Sequence, residues 1–542
     1  YVRHVGDEVA IIAATDEKTA TKAMKLIKVD YEILEPVLNY EEADGHPSLV
    51  HPEEDSFAMV DVGFDKDRNI ACQVELELGN VDKALKESDI VIKRTYSSQA
   101  QAQAMMESQR AYTYLDMYGR LIVVTSTQIP FHVRRILSTA LGIPESKIRV
   151  IKPRIGGGFG AKQTANAEFY PALVTLKTGK PAKIVYTRKE VFRGTNSRHA
   201  MKFDITLGAT KDGKIKAIDM VGISDTGAYG EHSQTTIAAA GKKVLPLYNK
   251  VEACRYYGKA MYTNKVPGAA LRGFGVTQGT FAIESAINEL AIELNMDPIE
   301  IRDINMIKQG ETTKLLNMTT KGWGDRPMYM DSCMLEHCVT KGKELIKWDE
   351  KYPKVQISET KVRGVGMAIA QQGSGLPKID MASVTLKLNT DGFFSLLMGA
   401  TDLGTGSDTI LAQIAAETLG VSLDKIVVYS SDTDLTPFDA GAYASSTTYT
   451  TGNAVIDAAE KMVDLIKHHG AIHFNTTIDN IQFDGNTIKN IETEENITLS
   501  DFSKRITYND QFIQLTTTGS FVPEKNVPPY MAGFAEVEVD LE

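Results

Sequence analysis

Hydrophobic positions along the chain recur at two spacings, and the points where one gives way to the other predict its elements. Near the N-terminal end, Glu8-Val-Ala-Ile-Ile-Ala-Ala14 predicts a buried strand, Lys18 to Ile27 an amphipathic helix and Ile27 to Glu32 a second strand. Pro36 to Phe57 is polar and loop-like. A short helix at Val81 to Ser88 and a strand at Ile90 to Thr95 follow, then strands at Ala111 to Asp116 and Leu121 to Ser126. Phe131 to Leu141 reads as a helix with apolar Val133, Ile136, Leu137, Ala140 and Leu141, closed by Gly142. After a β-rich run at Ser146 to Ile151 come a helix at Ala167 to Leu176, ended by Gly179, and strands at Lys183 to Tyr186, Lys202 to Leu207 and Ile215 to Val221. A long helix with apolar Ile283, Ile287, Leu290 and Leu294 opens after Leu271-Arg-Gly-Phe-Gly275. The next helix starts at Asp297-Pro-Ile-Glu300, with Asp as N-cap, Pro in the first turn and Glu three residues on. Ala454 to Lys467 predicts a helix, Ile478 to Ile491 a hairpin around Asp484-Gly485, and Phe534 to Glu542 a strand.

One pattern occurs twice. In Thr139 to Val150 and again in Thr418 to Val428, an amphipathic helix ends at Leu-Gly, turns, and enters a Lys-Ile-x-Val strand. The second copy follows the glycine loop Gly399-Ala-Thr-Asp-Leu-Gly-Thr-Gly406, with Ser407 placed to cap a helix Asp408 to Leu419. It precedes Ala442 to Thr448, dense in small hydroxyl residues. The first copy leads into Lys152-Pro-Arg-Ile-Gly-Gly-Gly-Phe-Gly-Ala-Lys-Gln163. Consecutive glycines reach positive φ and can press their N–H groups against a ligand. No Gly-Lys-Ser/Thr follows, so this is no Walker loop, and taken alone the run is equally a tight strand-to-helix turn. Two related α/β lobes with anion-friendly loops imply one extended ligand held between them.

Composition narrows the classes. A chain of 542 residues is too long for one core and should split into roughly three to four domains. Its 43% hydrophobic and 24% charged content is that of a globular protein. A net charge of −11 without a basic run argues against a nucleic-acid partner. No apolar run reaches the ~18 residues of a membrane span. The opening Tyr1-Val-Arg-His-Val-Gly-Asp reads like the middle of a domain, so an N-terminal segment is expected to be missing. Cys72, Cys254, Cys333 and Cys338 form no Cys-x-x-Cys pair, which leaves no zinc or iron–sulfur cradle and suits a reducing cytoplasm. Cys333 and Cys338 are expected to be packing residues of one helix.

In this order, the loops Gln101-Ala-Gln-Ala-Met-Met-Glu107, Gly156 to Gln163, Leu271 to Gly275, Gly399 to Gly406 and Ala442 to Thr448 resemble the molybdenum-binding subunit of the xanthine dehydrogenase family of molybdenum hydroxylases. The likeness covers nearly the whole chain. It implies an α+β fold: residues 1–57 as the remnant of an α/β hammerhead domain, 58–100 as a linker, 101–310 as a first molybdopterin-binding lobe and 311–542 as a second, with both ends truncated relative to the family. By resemblance Gln101, six positions before Glu107, hydrogen-bonds the apical oxo ligand of molybdenum. Gly157, Gly158, Phe159 and Gly160 pass close to the metal and its dithiolene, while Gly404, Thr405, Ala444, Ser445 and Thr447 grip the pterin and its phosphate or nucleotide tail. No side chain is expected to ligate the metal directly.

The resemblance also assigns the substrate side. Arg272 matches the arginine that stabilises negative charge on the heterocycle in purine oxidisers. Gln163 stands where animal-type purine oxidisers carry a ring-contacting Glu, and an amide can donate and accept but not take a proton. The positions of the sandwiching aromatic rings hold Met306 and a residue near Ile369, which puts xanthine itself in doubt. Gly273 after the arginine speaks against a carbon monoxide oxidiser, which needs Cys there. The family's general-base glutamate, in a Gly-x-Gly-Glu-like turn, is absent; Gly230-Glu-His232 lies in the wrong lobe, so the base is expected beyond Glu542. The implied activity is hydroxylation of an N-heteroaromatic ring, purine-like or nicotinate-like, with water as oxygen source. Aldehyde oxidation and a non-catalytic cofactor-binding or assembly role are the alternatives. The implied cofactor is molybdenum–molybdopterin, possibly as a dinucleotide. The 2Fe–2S clusters and FAD would sit on partner subunits or missing segments, in a cytoplasmic dimer of heteromers.

Overall fold

The computed structural model describes residues 1–58, 60–312, 314–319, 329–525 and 527–542. Two stretches fold into the same α/β unit. In the first, antiparallel strands Arg110–Leu115 and Leu121–Thr125 lead into the helix Pro130–Leu141, and strand Ile148–Ile151 returns parallel to the second strand. The helix Phe169–Thr178 then brings Ala182–Val185 back against the first strand. The second unit repeats this with Ala382–Leu388, Phe394–Met398, helix Ser407–Leu419, Ile426–Ser430, helix Thr447–Phe474 and Thr516–Phe521. The two four-stranded sheets correspond strand for strand. The repeated Leu-Gly has a backbone cause: Gly142 and Gly420 end their helices at φ 66° and 71°, where a Cβ would be strained. Each is followed by one 3-10 turn, Glu145–Lys147 or Leu423–Lys425, that delivers the chain to the returning strand. Before its last strand the second unit carries a small three-stranded sheet that contains the expected hairpin, Ile481–Phe483 against Thr487–Asn490.

The units meet edge to edge. Ile151 bridges Asp432, Lys152 N donates to Ser431 O at 3.0 Å and Thr433 N to Val150 O at 3.0 Å. The Arg149 guanidinium grips the Asp432 carboxylate with two hydrogen bonds of 2.9 and 2.5 Å. The joint ties the C-terminal ends of the two returning strands together.

The remaining body holds a five-stranded sheet, in the order Ile70–Leu78, Ala253–Tyr262, Ile215–Gly227, Ala200–Ala209, Ile90–Ser98, and a three-stranded sheet of Lys354–Gln356, Lys361–Gln371 and Tyr530–Asp540 whose residues share its core. The long helix Val276–Glu293 packs on the five-stranded sheet, and Asp297 caps the following helix by accepting from Ile299 N at 2.6 Å. Residues 58–100 are therefore not a linker: they supply both outer strands, and Ile70–Leu78 pairs with a strand nearly two hundred residues away. The boundary at 310 does not divide cores either, because Met330, Leu335, Trp348, Met367 and Ile369 are buried in the core of this sheet. Cys333 is buried just ahead of the helix Leu335–Ile346 that contains Cys338, so the two do not share a helix.

At the N-terminal end only the helix Glu17–Met24 forms, capped by Asp16. The strands expected at Glu8 to Ala14 and Ile27 to Glu32 are absent, and Val9, Ile11, Leu26 and Val29 are exposed. A strand is completed by its neighbour, and among the described residues none pairs with these segments. The helix expected over Ala454 to Lys467 is longer, Thr447–Phe474. No helix of the described residues is long and apolar enough to cross a membrane.

Candidate cofactor and substrate site

The glycine run links strand Ile148–Ile151 to helix Phe169–Thr178 and is held from both sides. Glu107 clamps its start: Gly156 N donates to the Glu107 carboxylate at 2.8 Å, Glu107 N donates to Gly156 O at 3.1 Å, and Lys162 Nζ lies 3.0 Å from the same carboxylate. Lys162 is fully buried; burial lowers its pKa and Glu107 counteracts that. Gln128 clamps the end. Its side-chain oxygen accepts from Gly160 N at 3.0 Å, and its amide donates to Ala442 O at 2.7 Å in the other unit. A neutral side chain thus ties the glycine loop to the hydroxyl-rich loop.

The glycines are required here. A Cβ on Gly158 would lie 2.4 Å from the Gln128 side-chain oxygen, and one on Gly160, at φ 106°, would lie 2.5 Å from Ala270 O. Phe159 takes φ 54° and leaves its ring 45% exposed. Among the described residues, the amides of Gly157, Gly158 and Phe159 donate to no protein acceptor. Such a cradle of unspent N–H groups fits an anionic, hydrogen-bond-rich cofactor.

The second unit behaves differently. The Asp402 carboxylate accepts from the amides of Gly404 at 2.8 Å, Gly406 at 3.3 Å and Asp408 at 3.1 Å. Burial works against its charge, but these amides and Lys152 outweigh it and hold the Asp402 carboxyl below the usual carboxylate range. Helix Ser407–Leu419 is thus capped by Asp402 and not by Ser407. Gly406 is the N-cap, and the Ser407 hydroxyl, one residue into the helix, is buried without a partner among the described residues. Gly404 has open space in front of it but no amide left to donate; the amide of Thr405 remains unspent. The better anion site in this unit is the hydroxyl-rich loop. Ala444 and Ser445 take φ 50° and 53°, and helix Thr447–Phe474 starts there with no side-chain cap, leaving first-turn N–H groups open.

On the other side of the glycine loop, Arg272 N donates to Phe159 O at 2.9 Å. The Arg272 guanidinium is exposed and forms no ion pair or hydrogen bond among the described residues. Its loop is held by Arg198, which donates to Arg272 O at 2.9 Å and to the Thr277 hydroxyl at 2.6 Å. Among the described residues Arg198 meets only neutral acceptors, and burial lowers its pKa. Gln101 O accepts from Arg198 N at 2.8 Å, while the exposed Gln101 side chain has no partner among the described residues. Gln163 directs its amide to Ala442 O at 3.5 Å. Gln101, the glycine loop, Gln163 and Arg272 are therefore one connected set of loops.

Met306 is not part of that set. It is fully buried in the core of the five-stranded sheet, as is Ile369, whose amide donates to Glu284 at 2.7 Å. Neither can line a substrate chamber. The rings beside Arg272 are Phe159 and Phe274, the latter at φ 44° with its ring edge-on to His232 at 5.4 Å. Gln128, Glu107, Lys162 and Arg198 escaped sequence reasoning because their role is contact across distant segments. For Gln128 the only local signal was its place in the turn that corresponds to the second-unit glycine loop.

Joined α/β units with unspent amides on facing loops define a two-lobed cofactor-binding protein. Models described as molybdopterin cofactor-binding domains match residues 63–306 and 341–542. The chain is 36% identical over 566 residues to the probable hypoxanthine oxidase XdhD of Escherichia coli K12, covering 99% of this chain and 58% of that protein. It is 33% identical over 549 residues to the putative xanthine dehydrogenase molybdenum-binding subunit XdhA of the same organism, covering 100% of this chain and 70% of that one. The crystal structure of quinoline 2-oxidoreductase from Pseudomonas putida 86 shares the fold with a TM-score of 0.83 at 23% identity, over 97% of this chain and 67% of that one. The chain belongs to the xanthine dehydrogenase family, among its molybdenum-binding subunits.

Proposed function

We propose that this chain carries the molybdenum–molybdopterin site of an enzyme that hydroxylates an N-heteroaromatic ring, purine-like or nicotinate-like, with water as the oxygen source. The observation that carries this reading is Arg272: its guanidinium has no counter-ion among the described residues, and its backbone N–H is tethered to Phe159 O of the glycine loop. A cation unspent on the protein is available for negative charge that develops on a heterocycle. When bound, the cofactor supplies the two-electron oxidation. The amides of Gly157, Gly158 and Phe159 would hold it in the first unit, with Gly160 shaping the loop; Ala444, Ser445 and Thr447, with the amide of Thr405, would hold its pterin and tail in the second, where Gly404 leaves room beside them. Gln101 would hydrogen-bond the cofactor, and Gln163 would contact substrate without exchanging a proton. XdhD, by its name a probable hypoxanthine oxidase, supports a purine-like substrate.

Electrons would leave through iron–sulfur clusters and FAD outside this chain, in a cytoplasmic dimer of heteromers. The core location of Met306 and Ile369, which removes the expected ring-sandwiching positions, favours an aldehyde oxidiser as the second reading. The deciding experiment is purification of the native complex, mass spectrometry of its molybdenum, pterin and subunits, and turnover of hypoxanthine, nicotinate and benzaldehyde. About one molybdenum per chain with heterocycle oxidation is the expected result. A properly matured complex without molybdenum would leave a binding or assembly protein, and turnover of the aldehyde alone would select the second reading.

A further inference from the structure

Glu231 lies in the short connection between strand Ile215–Gly227 and helix Ser233–Lys242. One of its oxygens, Oε2, accepts from the Thr164 hydroxyl at 2.9 Å. Thr164 directly follows Gln163, and the next residue, His232, packs its ring against Phe274, two positions beyond Arg272. Glu231 therefore stands where the end of the glycine loop meets the Arg272 loop. Its other oxygen, Oε1, has no partner, and no cation pairs with it, among the described residues.

The carboxylates that serve the fold are spent differently. Glu107 is tied to Gly156 N and Lys162, Asp402 to three amides, and buried Glu168 to Thr125 on one oxygen and Asn166 N on the other. A carboxyl with one hydroxyl partner and no cation does little to hold its loop, and as an anion it is costly to enclose.

We propose that Glu231 is a substrate-binding residue whose carboxyl donates a hydrogen bond to a ring nitrogen or ring carbonyl oxygen of a planar N-heterocycle seated against Gln163 and Arg272. Burial pushes the Glu231 carboxyl above its ordinary pKa, outweighing the opposite pull of the Thr164 hydroxyl, which favours the protonated form that can donate. The assignment rests on the heterocycle reading given above. It supplies the acidic group that Gln163 cannot.

The test compares Glu231→Ala and Glu231→Gln with the native molybdenum-loaded complex, reading molybdenum content, kcat/KM on hypoxanthine and on benzaldehyde, and hypoxanthine binding by calorimetry. Glu231→Ala should lower the hypoxanthine-to-benzaldehyde ratio of kcat/KM by about 10- to 100-fold, the cost of one buried hydrogen bond. Glu231→Gln, which keeps a donor, should recover most of that loss, and molybdenum content should not change. Equal losses on both substrates, a failure of Gln to rescue, or lost molybdenum in Glu231→Gln would make the residue structural and overturn the assignment. A wild-type complex that oxidises only benzaldehyde would overturn the heterocycle reading. Glu231 would then be judged by binding alone: hypoxanthine held equally well by wild type and Glu231→Ala, or not held at all, removes it from the site.

Discussion

In the first α/β unit the turn from the second strand into the helix carries Gln128, whereas the corresponding turn of the second unit carries Asp402. Gln128 reaches outward and fixes two other loops, Gly160 on one side and Ala442 on the other. Asp402 folds inward and consumes the amides of its own glycine loop. Two glycine-rich loops in matching folds thus end with opposite capacities. What decides whether such a loop binds an anion is whether a nearby carboxylate has already taken its N–H groups.

Substitutions at the two glycine loops test this contrast most severely. Gly160→Ala drives a Cβ to 2.5 Å from Ala270 O at a φ of 106°, and it should reduce the molybdenum content of the purified complex more than about tenfold, since the loop must move. Gly404→Ala, at φ 94° with open space around it, should cost only about 1 kcal/mol of strain and leave metal content within roughly twofold. Equal loss from both would break the comparison. Arg272→Met tests what the first unit presents to substrate. It should cost about 100-fold in kcat/KM on hypoxanthine and far less on benzaldehyde, because only the ring accumulates charge.

Gln128→Ala follows, with an expected loss of about 1–3 kcal/mol from orphaned amides, seen as a lower Tm together with a several-fold fall in bound molybdenum. Asp402→Asn should cost about 1 kcal/mol, as for a lost helix cap, with molybdenum content little changed. The sign with pH is fixed. The folded-state pKa of Asp402 is depressed, so its contribution is present above the unfolded value near ~4 and fades as pH falls through and below it. The Tm gap between wild type and Asp402→Asn should therefore be widest near neutral pH and close under acid.

Much of the architecture was legible because it is written locally. Leu-Gly followed by Lys-Ile-x-Val marks a helix end and a strand start wherever it occurs, and the two occurrences revealed the two units. Pairing is not written locally. Glu8 to Ala14 has the apolar content of a strand yet no described partner, whereas Ile70–Leu78, inside a stretch read as a linker, finds one at Ala253–Tyr262. Spacing also misplaced the cap of Ser407–Leu419, since a serine before an apolar run looks the same whether or not an aspartate five residues earlier has already bound the amides. The substrate side was half visible. Gln163 and Arg272 sit in loops with marked glycines, but a motif cannot tell that Met306 and Ile369 face a core, or that Glu231 is brought to Thr164 from another strand's end.

The edge-to-edge joint at Ile151 and Asp432 has a mechanical consequence. Val150 to Lys152, which feed the glycine run, are hydrogen-bonded to Ser431 to Thr433 on the way to the hydroxyl-rich loop, and Arg149 and Asp432 lock the two segments side by side. Sliding one unit past the other would break these bonds together. Anything held between the two loops is flanked by a joint that braces them where their strands end.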